Sequence, residues 1–459
     1  MNNKEYLGKE KIGKLLVKLA IPSVIAQLVN MLYNIIDRIY IGHMPNIGST
    51  ALTGVGVCLP LILIVSAFAA LVSSGGAPRA SIKMGQKDYQ GAEEILGNCF
   101  VLQIIISMIL TTLLLIFNKP LLMAFGGSSN TIEYATSYMN IYAIGTLFVQ
   151  LTLGMNSFIS CQGFTKHSMI SVIIGAVTNI ILDPIFIYGF KMGVSGAALA
   201  TILSQAVSTI WILSFLRSKH TFIKLKSVYM KLQSKVIIPC ILLGLATFIM
   251  QASESAIAIC FNSSLQHYGG DLEVGAMTIL TSVMQFAMMP MQGVAQGAQP
   301  IISYNYGAKN KSRVVSIFKL LLFACLSYSF VLFISIMIFP KGFAGIFTDN
   351  QELVDFASKM LRVYCAGLGL FGIQIACQMT FVSIGSSMSS IIVAVFRKFI
   401  ILIPLIYIVP LMLKNKILGV YLAEPLADIS AVIFTTILFI FKFRKSLDKI
   451  NVENELIEN

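Results

Sequence analysis

Few ionisable side chains interrupt the apolar stretches of this 459-residue chain, and those that do are spaced for joint work. Gln27, Asn30, Asn34 and Asp37 recur at i, i+3, i+7 and i+10, with Tyr33 one turn before Asp37. On a helix these positions share one face. Further on, Asn179 and Asp183 sit one turn apart and are followed at once by Pro184. That proline lacks a donor and crowds the Ile180 carbonyl, so a kink beside the carboxylate is expected. Thr201 follows, and the midpoint between 183 and 201 falls in the turn Lys191-Met192-Gly193. In an antiparallel helix pair Asp183 and Thr201 therefore share one depth. Two carboxylates, an amide and a hydroxyl form an oxygen-only set, which suits a hard monovalent cation, a proton, or the two in competition. Two carboxylates desolvated together resist joint ionisation and titrate as a pair. That is the chemistry of a switch driven by H⁺ or Na⁺.

The second half of the chain is poorer in acids but not empty. Glu254 is a further functional candidate, because ionisable groups inside apolar spans are costly. Asn34, Asn156, Gln285, Gln292, Gln374 and Gln378, with Tyr33, form an accessory set for substrate contact, although such amides also serve as glue between helices. Glu424 and Asp428 flank Pro425. Motifs for catalysis are missing. The only GxGxxG run, Gly367 to Gly372, lies inside an apolar stretch and not after a strand, and no nucleotide-binding GK[ST] loop occurs. The four histidines lack metal spacing, and the eight cysteines are scattered without a CxxC pair. Neither an enzyme nor an organic cofactor is indicated.

The elements that must hold these groups follow from composition. Apolar residues make up 56% and charged residues 12%, against roughly 25% charged in a soluble domain. With a mean hydropathy of +0.83, both a water-soluble and a disordered chain are excluded. A membrane-spanning helix needs about 20 apolar residues. Twelve stretches qualify, over 15–42, 52–77, 93–117, 133–160, 167–189, 194–217, 236–264, 274–299, 315–340, 354–385, 389–412 and 417–442. The net charge of +13 then falls on one side. Lys4, Lys9, Lys11, Lys14 and Lys18 lie in the N-terminal stretch that leads into span 1; Arg79, Lys83 and Lys87 follow span 2. Arg217 through Lys235 supplies six cations after span 6, Lys309, Lys311 and Arg313 lie after span 8, and Lys442, Arg444, Lys445 and Lys449 end the chain. By the positive-inside rule both termini are expected in the cytoplasm of a multi-pass cell-membrane protein. The charge is thus a topology signal, and no nucleic-acid partner is indicated. The apolar segment after the basic start is too long for a signal-peptide core, so no cleavage is expected. Asp37 and Asp183 each lie about six residues, roughly 9 Å, from the opposite end of their spans.

At an offset of 222 the chain matches itself. Gly75/Gly297, Pro78/Pro300, Ser81/Ser303, Gly85/Gly307 and Lys87/Lys309 align without a gap, as do Phe125/Phe347, Ala135/Ala357, Tyr142/Tyr364, Gly145/Gly367, Gly163/Gly385 and Ser168/Ser390. Six helices are repeated, and because six is even both copies enter the membrane in the same direction. The expected organisation is an N-terminal lobe over 1–217, a cytoplasmic linker over 218–235 and a C-terminal lobe over 236–459. Parallel repeats of this kind keep a substrate between the lobes and transport it by rocking one against the other. At that offset Asp37 becomes Ile259 and Asp183 becomes Leu405, so the acid pair is not duplicated.

Four segments carry a family resemblance: Tyr33 to Gly42, Asn179 to Pro184, Gly193 to Thr201, and Gly419 to Asp428. With them the chain resembles the multidrug and toxic compound extrusion (MATE) transporters, in a bacterial branch, over nearly its full length. The resemblance implies an all-α, V-shaped fold of twelve transmembrane helices, acting as a monomer that exports organic cations and drugs in exchange for H⁺ or Na⁺. It also implies a cation site in the N-terminal lobe, and Asp37, Asn179, Asp183 and Thr201 match it position by position. Some members place a sodium site in the other lobe, on a span 7 Glu and a span 10 Asp. Glu254 matches the first, but no acid lies between Cys365 and Ser387. Such antiport gains roughly 2.3 kcal/mol per charge moved through 100 mV and about 1.4 kcal/mol per pH unit. Two rivals stand beside it. A flippase for lipid-linked sugars would need several cations for a diphosphate, and the spans hold few: Arg38, Arg362, Arg397 and Lys398. A membrane enzyme would need a catalytic motif.

Overall fold

The computed structural model describes residues 5–45, 47–348 and 350–458. Lys4 lies outside the described residues, as does the side chain of Lys449. Among the described residues there is no strand. Among the described residues ten helices are long and apolar enough to cross a membrane, and counting each of two sharply bent pairs as one span gives twelve. In chain order they are α1 (Ile12–Gly42), α2 (Gly48–Gly85), α3 (Tyr89–Ala124), α4 (Ile132–Ile144 with Thr146–Ser160), α5 (Thr165–Pro184, extended by a π turn at Ile185–Gly189) and α6 (Val194–Arg217). The second six are α7 (Ser234–Tyr268), α8 (Asp271–Gly307), α9 (Lys311–Ile338), α10 (Gln351–Tyr364 with Leu368–Ser383), α11 (Ser387–Val395, a π turn at Phe396–Leu402, then Ile403–Met412) and α12 (Lys416–Glu458). The fold is an all-α membrane bundle of two six-helix repeats arranged as a V.

The helices overrun the apolar stretches. Arg79 and Lys83, expected in a connection, lie on α2, because a helix needs apolar residues only at membrane depth and continues until something stops it. What stops it is the same in both halves. Lys87 and Lys309 each adopt a left-handed conformation, at φ 63° and 56°. Asp88 then caps α3 by accepting from the Gly91 N–H, and Asn310 caps α9 by accepting from the Arg313 N–H. The bends also repeat: α4 turns by 57° around Gly145 and α10 by 54° just before Leu368. Gly163 and Gly385, again equivalent, both have positive φ, at 86° and 74°.

The halves meet through α1 and α2 on one side and α7 and α8 on the other. One of their close approaches, between α2 and α8, is reciprocal. A Cβ on Gly85 would stand 2.0 Å from the Tyr304 carbonyl oxygen, and a Cβ on Gly307 would stand 2.0 Å from that of Ile82, the repeat partner of Tyr304. Glycine is the only residue that fits there. The Ser81 hydroxyl donates to the Pro300 carbonyl at 3.2 Å, Gln27 donates to Gln296 at 3.1 Å, and Arg313 reaches the Glu10 carbonyl at 2.8 Å. These contacts run from the end that carries the termini to the middle of the bundle, and the V closes there.

The basic segment after α6 is not a loose tether. The Gln162 side-chain carbonyl accepts from the Thr221 hydroxyl and from the Phe222 and Ile223 N–H groups, at 2.8, 2.7 and 3.0 Å. Glu93 accepts from the Lys224 N–H and from the Lys226 ammonium, the latter at 2.6 Å. With Phe222, Ile223 and Leu225 buried, the segment is strapped onto the first half.

Candidate functional site

Helices α1, α5 and α6 carry the sequence-selected group, and α1 and α5 bring its two acids and Asn179 together. Asn179 and Asp183 are fully buried on α5, where the Asn179 amide donates to an Asp183 oxygen at 3.3 Å. Asp37 on α1 faces them, close enough for the two carboxylates to interact. Two interacting buried carboxylates are relieved by a proton or a cation between them. Thr201 on α6 lies beside Tyr138 on α4, and the Tyr138 hydroxyl in turn feels the Asp37 charge. Tyr33 flanks the pair, close enough to sense both acids. Three oxygens of this group have no hydrogen-bond partner although buried: Asp37 Oδ1, Asn179 Oδ1 and Asp183 Oδ2. Buried acceptors are almost always satisfied, so three orphans in one place mark a seat for something with donors or positive charge.

Local structure sets the register. The break expected at Pro184 takes the form of a π turn, which continues the helix while absorbing the missing donor. Tyr188 in that turn donates to the Tyr40 carbonyl at 2.6 Å and ties α5 to the end of α1. On α6, Gly196 lies against the Phe186 backbone, where a Cβ would stand 2.7 Å from its carbonyl carbon. This close approach sets how α6 packs on the end of α5.

The accessory residues separate. Tyr33 belongs to the site. Asn34 turns back to donate to the Asn30 carbonyl at 2.6 Å. Asn156 lies away from the acids: it accepts from the Ser171 hydroxyl at 3.0 Å and donates to the Ser168 carbonyl, joining α4 to α5. Gln285 and Gln292 are exposed on α8. Gln374 and Gln378 are buried on α10, and Gln378 donates to the Ser390 hydroxyl at 2.7 Å.

The second half holds a charge network that residue spacing did not reveal. Arg397 in the π turn of α11 donates to Glu424 at 2.9 Å and to Asp428 at 2.7 Å, and it stacks on Phe371 with 4.8 Å to the ring centre. Its neighbour Lys398 donates to Glu254 at 2.7 Å. The available signal was the Arg-Lys pair inside an apolar span, opposite two acids one helical turn apart, since buried charges are kept where they find partners. Among the described residues no cluster of three or more His, Cys, Asp or Glu is arranged to hold a metal ion.

Comparison with known proteins matches residues 22–185 and 246–408 to the MatE family. The multidrug export protein MepA of Staphylococcus aureus (strain N315) is 25% identical over 455 residues, which is 99% of this chain and 98% of that protein. MepA of Staphylococcus saprophyticus is 23% identical over 446 residues, 97% of each chain. Among solved structures, a MATE protein in the bent conformation superposes with a TM-score of 0.91 at 22% identity, over 98% of this chain and 99% of that one. An outward-facing multidrug resistance MATE transporter of the MOP superfamily superposes with a TM-score of 0.89 at 24% identity, over 96% and 98%.

Proposed function

We propose, from the premise that the chain belongs to the MatE family, that it is a secondary-active exporter of lipophilic organic cations driven by the inward movement of a small cation. The observation that carries this reading is the pairing of Asp37 with Asp183 amid three unsatisfied buried oxygens. A proton between the two carboxylates satisfies their contact directly and makes H⁺ the coupling ion the geometry favours. Na⁺ would use the same oxygens, with Asn179 and Thr201 beside them. Neutralising the pair removes repulsion between α1 and α5, so occupancy shifts how α1 packs. Because α1 also packs on α8, the change reaches the other half. In this reading the termini face the cytoplasm of a cell membrane, on the strength of the basic connections at that end, and the protein works as a monomer.

The flippase alternative loses support in the second half. A diphosphate needs cations free to receive it, and Arg397 and Lys398 are already matched by Glu424, Asp428 and Glu254. Efflux of ethidium from cells expressing the protein tests the proposal. Efflux should stop on addition of a protonophore and persist without Na⁺. Loss only on Na⁺ removal would transfer the coupling to Na⁺, and no efflux under any condition would refute export of such cations.

A further inference from the structure

A cavity at the end of the bundle that carries the termini holds cations that lack acceptors. It measures about 420 Å³ and is walled by Arg79 and Lys83 of α2, Asp88 just beyond them, Gln90 and Glu94 of α3, and Lys235 of α7, so both halves contribute. The Gln233 N–H donates to the Asn98 side chain at 2.7 Å and fixes the start of α7 beside α3. Lys83 is matched by Asp88 at 2.8 Å, but neither Arg79 nor Lys235 enters any ion pair among the described residues. Arg79 Nε is buried without a hydrogen-bond partner, and beside this guanidinium lies the Cys240 thiol, a weak acceptor. Lys235 is exposed in the first turn of α7, where the helix dipole is positive and no acid is present. With Glu94 the lining holds three cations against two carboxylates, a surplus of one positive charge.

The other repeat shows what is missing. Arg313 stands at the repeat position of Gly91, which lines the cavity, and Asn305 at that of Lys83. There the N-terminal segment supplies the acceptors: Arg313 donates to the Leu7 and Glu10 carbonyls at 3.3 and 2.8 Å, and Asn305 donates to the Leu7 carbonyl at 3.0 Å. One copy of the scaffold satisfies its donors with the chain's own oxygens. In the other, a glycine leaves the place open and the donors face it unmatched.

We propose that this cavity binds the phosphodiester headgroup of an anionic phospholipid, with Arg79 and Lys235 as its ligands. One monoanionic phosphodiester brings the lining to neutrality and gives the buried Arg79 Nε the acceptor it lacks, and a guanidinium matches phosphate oxygens in geometry as well as charge. The start of α7 adds its dipole. Basic pockets between spanning helices at the membrane surface suit such headgroups, whose acyl chains remain in the bilayer. A zwitterionic lipid fits less well, because its own ammonium group would join a lining that is already positive. Since Arg79 belongs to the first half and Lys235 to the second, a bound headgroup clamps the two halves at this end. The inference uses the proposed orientation only to place the lipid in the cytoplasmic leaflet; binding itself is independent of export.

Native mass spectrometry of the purified full-length protein in a neutral detergent tests it, by titration with dioleoyl phosphatidylglycerol and, separately, dioleoyl phosphatidylcholine. The first phosphatidylglycerol should bind about tenfold more tightly than the first phosphatidylcholine, and Arg79→Gln and Lys235→Gln should each weaken it about fivefold. Lys235 is exposed, so its variant gives a reading if Arg79→Gln fails to fold. Lys231→Gln, which removes an exposed cation outside the cavity, should leave the affinity unchanged. Excess inorganic phosphate should not displace the lipid. Equal affinity for the two lipids, undiminished binding in Lys235→Gln, or an equal loss in Lys231→Gln would overturn the proposal. Displacement by inorganic phosphate would overturn the lipid as occupant in favour of a free phosphate.

Discussion

The fifth helix of each repeat, α5 in the first half and α11 in the second, carries a π turn beside its ionisable residues, yet the two are wired oppositely. On α5 an acid is set against another acid, Asp183 against Asp37, with orphaned oxygens around them. On α11 two cations are set against three acids, and every carboxylate has a bonded cation. A duplicated scaffold has thus kept its helix geometry and divided its electrostatics. The first half is electrically open, and in the proposed function it changes state when a small cation arrives. The second carries its own counter-ions, which hold α7, α11 and α12 together.

If this contrast is right, the largest effects come from the open half. Asp37→Asn and Asp183→Asn should each reduce ethidium efflux to the level of cells without the protein, at unchanged membrane expression. Wild-type efflux in either variant would remove the acid pair from the mechanism. In the closed half the effect should instead be on stability. Arg397→Met strands two buried carboxylates and should cost about 3–5 kcal/mol, read as a lower unfolding temperature of the purified protein. The triple variant Arg397→Met, Glu424→Gln, Asp428→Asn should recover most of that loss. If Arg397→Met unfolds at the wild-type temperature, the network does not hold the helices.

Where the halves touch they should behave alike. Gly85→Ala and Gly307→Ala each force a methyl against a backbone carbonyl of the other half, so each should destabilise by roughly 1–3 kcal/mol. A large difference between the two would break the reciprocity of the contact. The smallest effect sharpens the comparison further. Asp88 and Asn310 are equivalent caps, and replacing either by Ala should cost about 1 kcal/mol. Only Asp88 titrates. The hydrogen bond from Lys83, then that from the Gly91 N–H, holds its carboxyl below the usual carboxylate range. Its contribution is therefore full above the ordinary value and fades as the pH falls through the lowered one. The deficit of Asp88→Ala should shrink below about pH 4, while that of Asn310→Ala stays constant, as urea melts across pH would show.

Much of this molecule was legible in the sequence, for identifiable reasons. Twelve apolar stretches locate helices because the bilayer demands them. Helix ends were misjudged because Arg79 and Lys83 are as helical as the residues before them. The glycines at 145 and 367 mark the repeat, but one glycine inside an apolar run does not state an angle, so the bends in α4 and α10 stayed hidden. Asp37, Asn179, Asp183 and Thr201 could be grouped because each is set by depth along its own helix. Tyr138 could not, since its approach depends on how α4 packs. Pairing Lys398 with Glu254 likewise depends on which helices become neighbours. Asn156 looked like the accessory amides, and only packing shows that it serves the serines of α5.

The most direct test of the account is proton flux by the purified protein in liposomes, followed with a pH dye on adding ethidium under an imposed pH gradient. Ethidium should release protons down the gradient through the wild-type protein, and neither Asp37→Asn nor Asp183→Asn should respond. Ethidium-dependent proton flux that survives in Asp37→Asn would contradict the claim that this pair carries the coupling ion.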